Sequence, residues 1–511
     1  MPIEYYTQEN TETHKKNRYD ELSGERDLFG YRAQQYAAWT LPGTFPRKDQ
    51  VFVETEIQHD FQSTGAQGVI NLANKLAMTL FHPSKSFFKL ELPKEELKKL
   101  PNFKGADIDT ALAEIERLVM GKFNTHNHRG KIIEVLQLLI MTGDCVLKMT
   151  EDSGIVVYHL HEYVRQLSVD GSLNLLIIKE RKLPRNLPEA IKKKLKTQSK
   201  SYSDDSVIPL ILYTIIERIE NSDMYLMWQE LENYGKITTK DGKYHVDDLP
   251  YINVWWQRNG RDNYGRGLVE ALAGEFAQLS NVSESIAELT VVLANIIFLV
   301  KPGCQTDVKT LNDAESGEYV QGEPDDITCF SADLKIQIDS LVEQQGRLER
   351  KLGSAFLLHT AVTRDAERVT AEEIRLQAAE LESTLGGIYT NLSFLLQYPI
   401  ARKLLNNLDP AYKKLKVTIL TGLEALSRFS DLENWKRLIM DLANMNNIPP
   451  AAAAWIKYGD LIKILAVGYA LDYTKVLKTQ EEFERDQAEA MKQQQEHEAI
   501  LEQNKQQAKG D

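Results

Sequence analysis

Apolar side chains recur every three to four residues over much of the chain, which is the spacing that aligns them on one face of an α-helix. The first such region, residues 15–40, is rich in tyrosine and ends before Pro42. Three further segments show the same pattern, namely "GAQGVINLANKLAMTLF", "ADIDTALAEIERLVMGKF" and "KIIEVLQLLIMTG". The pattern therefore predicts a mainly helical start to the chain.

The hydrophobic period shortens after residue 144. Short β-branched runs follow one another here: "CVLKMTE", "GIVVYHL", "YVRQLSVDGSLNLLIIKER" and "IPLILYTIIERIE". Asp170-Gly171 and Asp241-Gly242 are turn signals of the kind found in β-hairpins. A helical insert, "NLPEAIKKKLKT", interrupts the strands. We therefore predict one α+β domain over residues 1–264.

Two long helices are predicted next. In "NYGRGLVEALAGEFAQLSNVSESIAELTVVLANIIFLVKPG" the helical spacing of apolar residues continues through Ile297 until Pro302-Gly303, which predicts a helix over 265–298. Its last part, "LTVVLANIIFLV", is too short to span a bilayer and is predicted to be a buried helix end. Residues 299–336 are rich in turns, and "LKIQI" alternates like a strand. With a second helix over 337–359, the prediction is a helical hairpin with a small β-rich tip.

A polar break, "TRDAERVTAEEI", follows this hairpin at residues 363–374. Thr370 and Glu373 have capping-box spacing, because each side chain can accept a hydrogen bond from a free N–H group at a helix start. The helix that begins there is predicted to reach residue 406, with a kink at Gly386 and Gly387. A last strand, "LKVTILTG", and helices at 430–445 and 450–475 follow; the Gln/Glu-rich end is either a solvated helix or partly disordered.

Composition and charge narrow the class of protein. The 511 residues are 42% hydrophobic and 26% charged, as in an ordinary soluble globular protein, and the N-terminus lacks the apolar region of a signal peptide. The net charge of −13 argues against broad binding of nucleic acid, which requires Lys and Arg to neutralise phosphates. It does not argue against a protein that surrounds DNA without holding it.

Catalytic and metal-binding patterns are absent from the sequence. No phosphate-binding loop of the G-x-x-x-x-G-K-[ST] type occurs, and "YGRGLVEALAG" has the wrong glycine spacing for a dinucleotide site. His159 and His161 alternate on a predicted strand without a nearby Cys or His partner, and His126 and His128 are predicted to lie in a loop. The three cysteines have neither disulfide nor zinc spacing. A structural protein without cofactor or metal is the favoured interpretation.

Four segments carry a resemblance to a known family. "GAQGVINLANKLAMTLFHPSKSFFKL", "YGRGLVEALAGEF", "ERVTAEEIRLQAAELESTLGGIY" and "VTILTGLEALSRFSDLENW" resemble, in the same order and spacing, segments of head-to-tail connector (portal) proteins of short-tailed, podovirus-type bacteriophages. The resemblance extends from about residue 30 to about residue 445. The N-terminal arm and the tail beyond about residue 475 carry little of it.

The resemblance implies an architecture and a set of partners. It implies the viral portal fold, α+β and mainly helical, in a ring of twelve copies at one capsid vertex. The implied parts are an arm and wing (1–264), a stem (265–298 and 337–359), a clip (299–336), a tunnel loop (360–370), a long kinked wing helix with a closing strand and helix (371–448), and a crown with the C-terminal tail (449–511). The implied partners are double-stranded DNA, the major capsid protein and scaffold, the terminase motor, a tail adaptor and internal core proteins, with no lipid membrane. The implied location is the head–tail vertex of the virion, after assembly in the host cytoplasm.

The resemblance also assigns roles to particular residues. It places Arg364, Asp365, Glu367 and Arg368 in a loop that projects into the DNA channel, with Thr370 and Glu373 at its base. An ordinary solvated connector is the alternative for this stretch. No basic residue lies between Arg266 and Lys301, so the acids of this helix are expected to face the channel or a basic cluster on a neighbouring subunit; an ordinary solvated helix face is the alternative. The acids are Glu270, Glu275, Glu284 and Glu288, and the basic cluster is Arg347, Arg350 and Lys351.

Two other functions compete with a portal. A DNA-processing enzyme or motor subunit is disfavoured because the chain lacks a phosphate-binding loop. A helical adaptor with no role in DNA passage is the other alternative, and it would not form rings.

Overall fold

The structure is a computed structural model, and it describes residues 8–45, 59–82, 86–93, 105–358, 381–419 and 440, apart from internal gaps of at most four residues. The helices, in chain order, are α1 (Gln8–Ala38), α2 (Thr64–Leu80), α3 (Gly105–Thr125), α4 (His128–Met141), α5 (Glu189–Gln198), α6 (Leu268–Ala271), α7 (Ala273–Ala294), α8 (Val308–Asp313), α9 (Lys335–Ala355), α10 (Gly387–Leu392) and α11 (Tyr398–Asn406). A short π-helix, Ser393–Gln397, joins the last two. Of the helices described, none has both the length and the apolar character that a membrane span requires.

Thirteen strands lie among the residues that the structure describes. They are β1 (Phe88–Glu91), β2 (Asp144–Thr150), β3 (Gly154–Tyr158), β4 (Tyr163–Leu167), β5 (Leu173–Lys182), β6 (Leu210–Arg218), β7 (Met224–Leu231), β8 (Gly235–Lys236), β9 (Gly242–His245), β10 (Tyr251–Trp255), β11 (Ile297–Val300), β12 (Ile327–Phe330) and β13 (Lys416–Ile419). Strands and helices together make an α+β protein, as the sequence predicted.

The chain divides into two compact units. The first contains residues 1–89 and 118–422, and the second contains residues 90–117 and 423–511. In the second unit the structure describes the end of β1, part of α3 and residue 440. There the backbone N–H of Leu90 donates a hydrogen bond to Glu116. All structural contacts discussed below lie in the first unit.

The largest sheet of the first unit has the strand order β4-β5-β6-β7-β8, with β9 also paired to β7. The neighbouring pairs are antiparallel, and Ile177, Ile215 and Trp228 face one another across three strands. Because side chains alternate between the faces of a strand, these residues form one core with Tyr19 of α1, while Leu212 and Leu231 face the opposite side. On that side Leu187 and Leu195 cover the sheet. Gly171, with φ +90°, makes the predicted turn between β4 and β5.

A second sheet, β10-β2-β3, lies against the helical part of the unit. Helix α4 contacts both β2 and β3 and also packs beside α2, whose apolar face is fully buried. Val69, Leu72 and Leu76 form that face, at the spacing that predicted the helix. The structure thus places α2 and α4 where the sequence pattern placed them, whereas the helices predicted at 430–445 and 450–475 lie outside the described residues apart from residue 440.

Three predictions for the region between residues 289 and 338 are wrong. Helix α7 ends at Ala294, and Ile297–Val300 forms a strand that pairs with Ile327–Phe330. This apolar stretch is not a buried helix end either, since Val291 is 63% exposed in the single chain. The segment "LKIQI" is not a strand either: its described residues, 335–338, form the start of α9, and Ile336 is exposed there.

Candidate functional site

Helices α7 and α9 pack against each other, and the paired strands β11 and β12 lie in the segment that joins them. We call this segment, residues 268–355, the hairpin, and residues 297–330 its tip. At the other end of the helix pair, the ring of Phe276 in α7 lies 5.9 Å from the ring of Phe356, the residue that follows α9. Leu348 and Leu352 of α9 are buried one turn apart, so the helical period continues on the inner face of the hairpin.

The tip is closed by a small polar cluster as well as by the β11–β12 pair. Asp326 is buried, and its carboxylate accepts hydrogen bonds from the backbone N–H and the hydroxyl of Thr306, at 3.2 and 2.8 Å. The hydroxyl oxygen of Thr306 also accepts a hydrogen bond from the backbone N–H of Glu323. This arrangement fixes the two ends of the loop 301–326 to each other and leaves α8 wholly exposed.

The four acids singled out in the sequence lie in three different environments. Glu270 is part-buried, with carboxylate distances of 3.1 Å to Arg32 and 3.5 Å to Arg266 of the same chain. Glu275 pairs with Lys351, and that hydrogen bond holds the pKa of its carboxyl below the usual value. Glu284 and Glu288 are exposed on α7.

The basic residues of α9 also have partners within their own chain. Lys351 meets Glu275, a contact that the sequence had suggested between neighbouring subunits. Arg347 lies 2.6 Å from Glu343, and the Nε of Arg350 donates to the carbonyl of Gly346. The structure therefore brings together one pair of the predicted set, Glu275 with Lys351. It adds Arg32 of α1 and Arg266, which lies just before α6; the sequence analysis assigned neither of them to this set.

A buried ion pair anchors the first end of the hairpin. Asp144 and Arg165 are fully buried and directly bonded to each other, and Tyr163 also donates to Asp144. The guanidinium of Arg165 donates to the carbonyl of Asn263 at 2.8 Å, and the backbone N–H of Gly265 donates to Asp144 at 2.7 Å. Burial raises the pKa of Asp144, whereas Arg165 and the other two donors lower it.

Glycines allow the backbone segments at this anchor to approach each other closely. A Cβ on Gly265 would lie 2.3 Å from the carbonyl oxygen of Gly143, and one on Gly267 would lie 2.5 Å from that of Ile140. Gly143 also has φ +85°, in the left-handed region that glycine tolerates best. The glycines of "YGRG" thus serve close backbone packing and not a nucleotide site.

The second end of the hairpin is held by α2. Asn71 donates to the carbonyls of Phe356 and Leu357, and the ammonium of Lys75 donates to that of Leu357 at 2.8 Å. Leu357 itself has φ 56°, a left-handed conformation that terminates α9. A Cβ on Gly68 would lie 2.8 Å from the Phe356 ring, so the absence of a side chain at this position lets Phe356 pack against α2. These contacts fix the point from which the chain leaves the hairpin.

The predicted loop beyond that point lies outside the described residues. This concerns Arg364, Asp365, Glu367, Arg368, Thr370 and Glu373. The structure resumes at residue 381, and Gly386 interrupts the helical backbone with φ 44° before α10 begins at Gly387.

The histidines singled out in the sequence take different positions in the structure. His159 directly precedes a 3-10 turn, and His161 lies within it. Among the described residues, no group of three potential metal ligands is present. The structure also corrects the prediction for His128, which is the buried first residue of α4 and not a loop residue. His126 lies outside the described residues.

Comparison with known proteins identifies the family. Residues 12–474 match the model of the family described as "Bacteriophage head to tail connecting protein". The chain belongs to this family. The match covers most of the chain, including the segments whose resemblance to portal proteins was noted above.

Three portal proteins illustrate the similarity. The portal protein of Escherichia phage T7 is 33% identical over 491 residues, covering 93% of this chain and 90% of the relative. That of Enterobacteria phage T3 is 33% identical over 483 residues, covering 91% and 88%. That of Pseudomonas phage phiKMV is 30% identical over 479 residues, covering 91% of both chains. The chain is therefore a podovirus-type portal protein, a structural component of the virion at the head-to-tail connection and not an enzyme.

Proposed function

We propose that this portal protein forms a closed ring of twelve subunits at one capsid vertex, through which double-stranded DNA passes during packaging and ejection. The observation that carries the proposal is the apolar surface that the single chain leaves exposed along the hairpin. Exposed apolar side chains occur on both helices and on the tip: Val291, Val292, Leu299, Val300, Ile336 and Val342. A surface of this kind favours an interface, and cyclic symmetry lets each copy cover the next.

The charge of the hairpin supports a channel that does not bind DNA tightly. Glu284 and Glu288 are exposed on α7, and no Lys or Arg lies between Arg266 and Lys301. Each phosphate neutralised by a basic side chain adds to the affinity for DNA, so a ring of basic residues would retard a sliding duplex. An acidic wall keeps such contacts few.

The parts of the ring follow from this proposal. The arm and wing are residues 1–264, the stem is 265–298 with 337–359, and the clip is 299–336. The tunnel loop is 360–370, the kinked wing helix with its closing elements is 371–448, and the crown with the tail is 449–511. Glu270, Glu275, Arg347, Arg350 and Lys351 then stabilise the stem through contacts within each subunit.

The partners are assigned to the two ends of the ring. The clip docks the terminase motor during packaging and the tail adaptor afterwards, because its loop is exposed and held at the end of the hairpin. The crown faces the internal core proteins, and the ring is built into the shell of major capsid protein and scaffold in the host cytoplasm. Removal of residues 305–325 tests the clip, since rings should persist while tails no longer attach.

The tunnel loop is proposed to retain DNA through weak phosphate contacts. Arg364 and Arg368 are four residues apart and share a face if the loop keeps one helical turn, with Asp365 and Glu367 beside them. Salt and the neighbouring acids weaken each contact, which suits a valve and not a sequence reader. In particles that carry Arg364→Ala and Arg368→Ala, rings should assemble normally and retain packaged DNA less well. Normal retention in those particles would make the segment a plain solvated connector.

Electron microscopy of the purified protein, viewed along the symmetry axis, tests the proposed function. We expect closed rings with an axial opening and no hydrolysis of ATP. Filaments, or particles that remain monomeric at all salt concentrations, would contradict it.

A further inference from the structure

The most basic part of the chain lies neither in the hairpin nor in the proposed tunnel loop. It is the segment 183–200 between β5 and β6, which we call the basic insertion. Six of its eighteen residues are Lys or Arg and one is acidic, in a chain whose net charge is −13. The basic residues are Arg185, Lys192, Lys193, Lys194, Lys196 and Lys200.

The basic insertion is folded onto the sheet and is not a free tail. Leu187 and Leu195 are buried against Leu212, Leu231 and Ile237 on the face of the sheet opposite α1. Ile191 packs on the same cluster from the middle of α5, so the apolar side chains recur four residues apart on one side of the helix. This anchoring holds the rest of the helix at the surface in a defined orientation.

The surface that the basic insertion presents is polar and mostly positive. Between residues 183 and 198, the exposed side chains that the structure describes are Arg185, Asn186, Glu189, Lys193 and Lys196. Lys193 and Lys196 lie one turn apart on α5 and therefore share a face. Lys192 is largely covered and pairs with Glu189 at 2.9 Å. Among the described side chains of this stretch, the exposed positive charge is thus carried by Arg185, Lys193 and Lys196, and no exposed apolar side chain accompanies them.

Such a surface suits a phosphate backbone better than a protein. Interfaces between proteins have apolar and aromatic centres and are depleted in Lys, whereas duplex DNA offers a dense row of phosphates that Lys and Arg neutralise. We propose that the basic insertion binds the backbone of double-stranded DNA outside the channel, without sequence preference. The inference rests on the proposed function in one respect: that function brings duplex DNA to the ring.

Covalently closed circular DNA separates this contact from passage through the channel. A closed circle has no end to thread, so a ring can bind it only through an outer surface. We expect the assembled ring to bind relaxed circles, with an affinity that falls steeply as salt is added. Failure of intact rings to bind circles at low salt would overturn the inference while leaving the proposed function standing. Failure to form rings would count against the proposed function instead.

Charge reversal at the exposed residues tests the assignment to the insertion. The variant carries Arg185→Glu, Lys193→Glu and Lys196→Glu, and the control carries Lys122→Glu, Lys243→Glu and Lys414→Glu. The control residues are also exposed, and both changes alter the net charge equally. The insertion variant should lose most circle binding, and the slope of log Kd against log salt should fall by about one for each phosphate contact removed.

Three results would overturn the proposal. One is equal binding of circles by the insertion variant and the unmodified ring, which would leave the lysines as a solvated face. Another is an equal loss in the control variant, which would show a general effect of net charge. The third is binding of poly-glutamate that depends on the insertion and exceeds binding of the circle, which would identify an acidic protein as the partner.

Discussion

At the scale of single residues, the contacts that organise the hairpin come from distant parts of the sequence. Asp144 and Arg165 lie on β2 and β4, yet together they hold Asn263 and Gly265 at the start of the hairpin. Neither residue belongs to a motif or a periodic pattern, so the sequence alone did not reveal the pair. Breaking a buried ion pair leaves the remaining charge without compensation in a medium of low dielectric constant.

The Asp144→Asn substitution is expected to be strongly destabilising for this reason. Loss of a buried partner typically costs about 3–5 kcal/mol of unfolding free energy, which thermal and denaturant unfolding would detect. Asp223→Asn is the matched control, because Asp223 pairs with Arg218 at 3.2 Å but is 71% exposed. The control should change stability by less than about 0.5 kcal/mol. Equal effects of the two substitutions would show that the buried pair does not anchor the hairpin.

Glu162 supplies a prediction about pH. Burial raises the pKa of its carboxyl to about 7, although its carboxylate accepts a hydrogen bond from the backbone N–H of His159. Because the folded pKa lies above the unfolded value near 4.5, ionisation costs stability as the pH rises from about 4.5 to about 7. Glu162→Gln keeps an oxygen acceptor and cannot ionise.

The Glu162→Gln variant should therefore unfold at a higher temperature than the unmodified protein at pH 8. The gain corresponds to about 1–3 kcal/mol and should disappear at about pH 3.5, where the carboxyl is protonated in both states. Glu343→Gln removes a carboxylate at an exposed site and is the control; it should not raise the unfolding temperature at pH 8. A Glu162→Gln variant less stable than the unmodified protein at pH 8 would contradict the assignment of a part-buried carboxylate whose ionisation costs stability.

At the scale of elements, the hydrophobic pattern predicted most of the helices because their apolar faces are buried at helical spacing. It failed at Ile297–Val300, because a short continuous apolar run fits a strand as well as a helix end. It also failed at "LKIQI", where apparent alternation places Ile336 in solvent within the first turn of α9. The burial that distinguishes these cases depends on neighbours that a local pattern does not contain.

The exposed face of α9 supports a prediction about assembly. Ile336 is 81% exposed in the single chain, so Ile336→Glu should change the stability of the folded subunit by less than about 0.5 kcal/mol. If a neighbouring subunit covers this side chain, the new carboxylate would be buried without a partner in the assembly, at a cost of several kcal/mol. The protein concentration at which half of the subunits are assembled should then rise by more than about tenfold. Analytical ultracentrifugation measures that concentration. Gln337→Glu adds the same charge at the next exposed position without removing an apolar group, and should have the smaller effect.

At the scale of the whole molecule, the family and the structural role could be predicted from the sequence, and the match over residues 12–474 confirmed them. The intramolecular partners of Glu270 and Glu275 could not be predicted from the sequence, because Arg32 and Lys351 come from other elements. In the proposed ring, the acidic hairpin keeps phosphate contacts few within the channel, and we infer that the basic insertion makes such contacts outside it.

The central claim is that the exposed hairpins of identical subunits cover one another in a closed ring. Native mass spectrometry of the purified full-length chain tests this claim most directly. The account predicts one dominant assembly whose mass is twelve times 58.3 kDa, which persists at moderate salt because apolar contacts hold it together. Only monomers or dimers, at every protein and salt concentration, would contradict it.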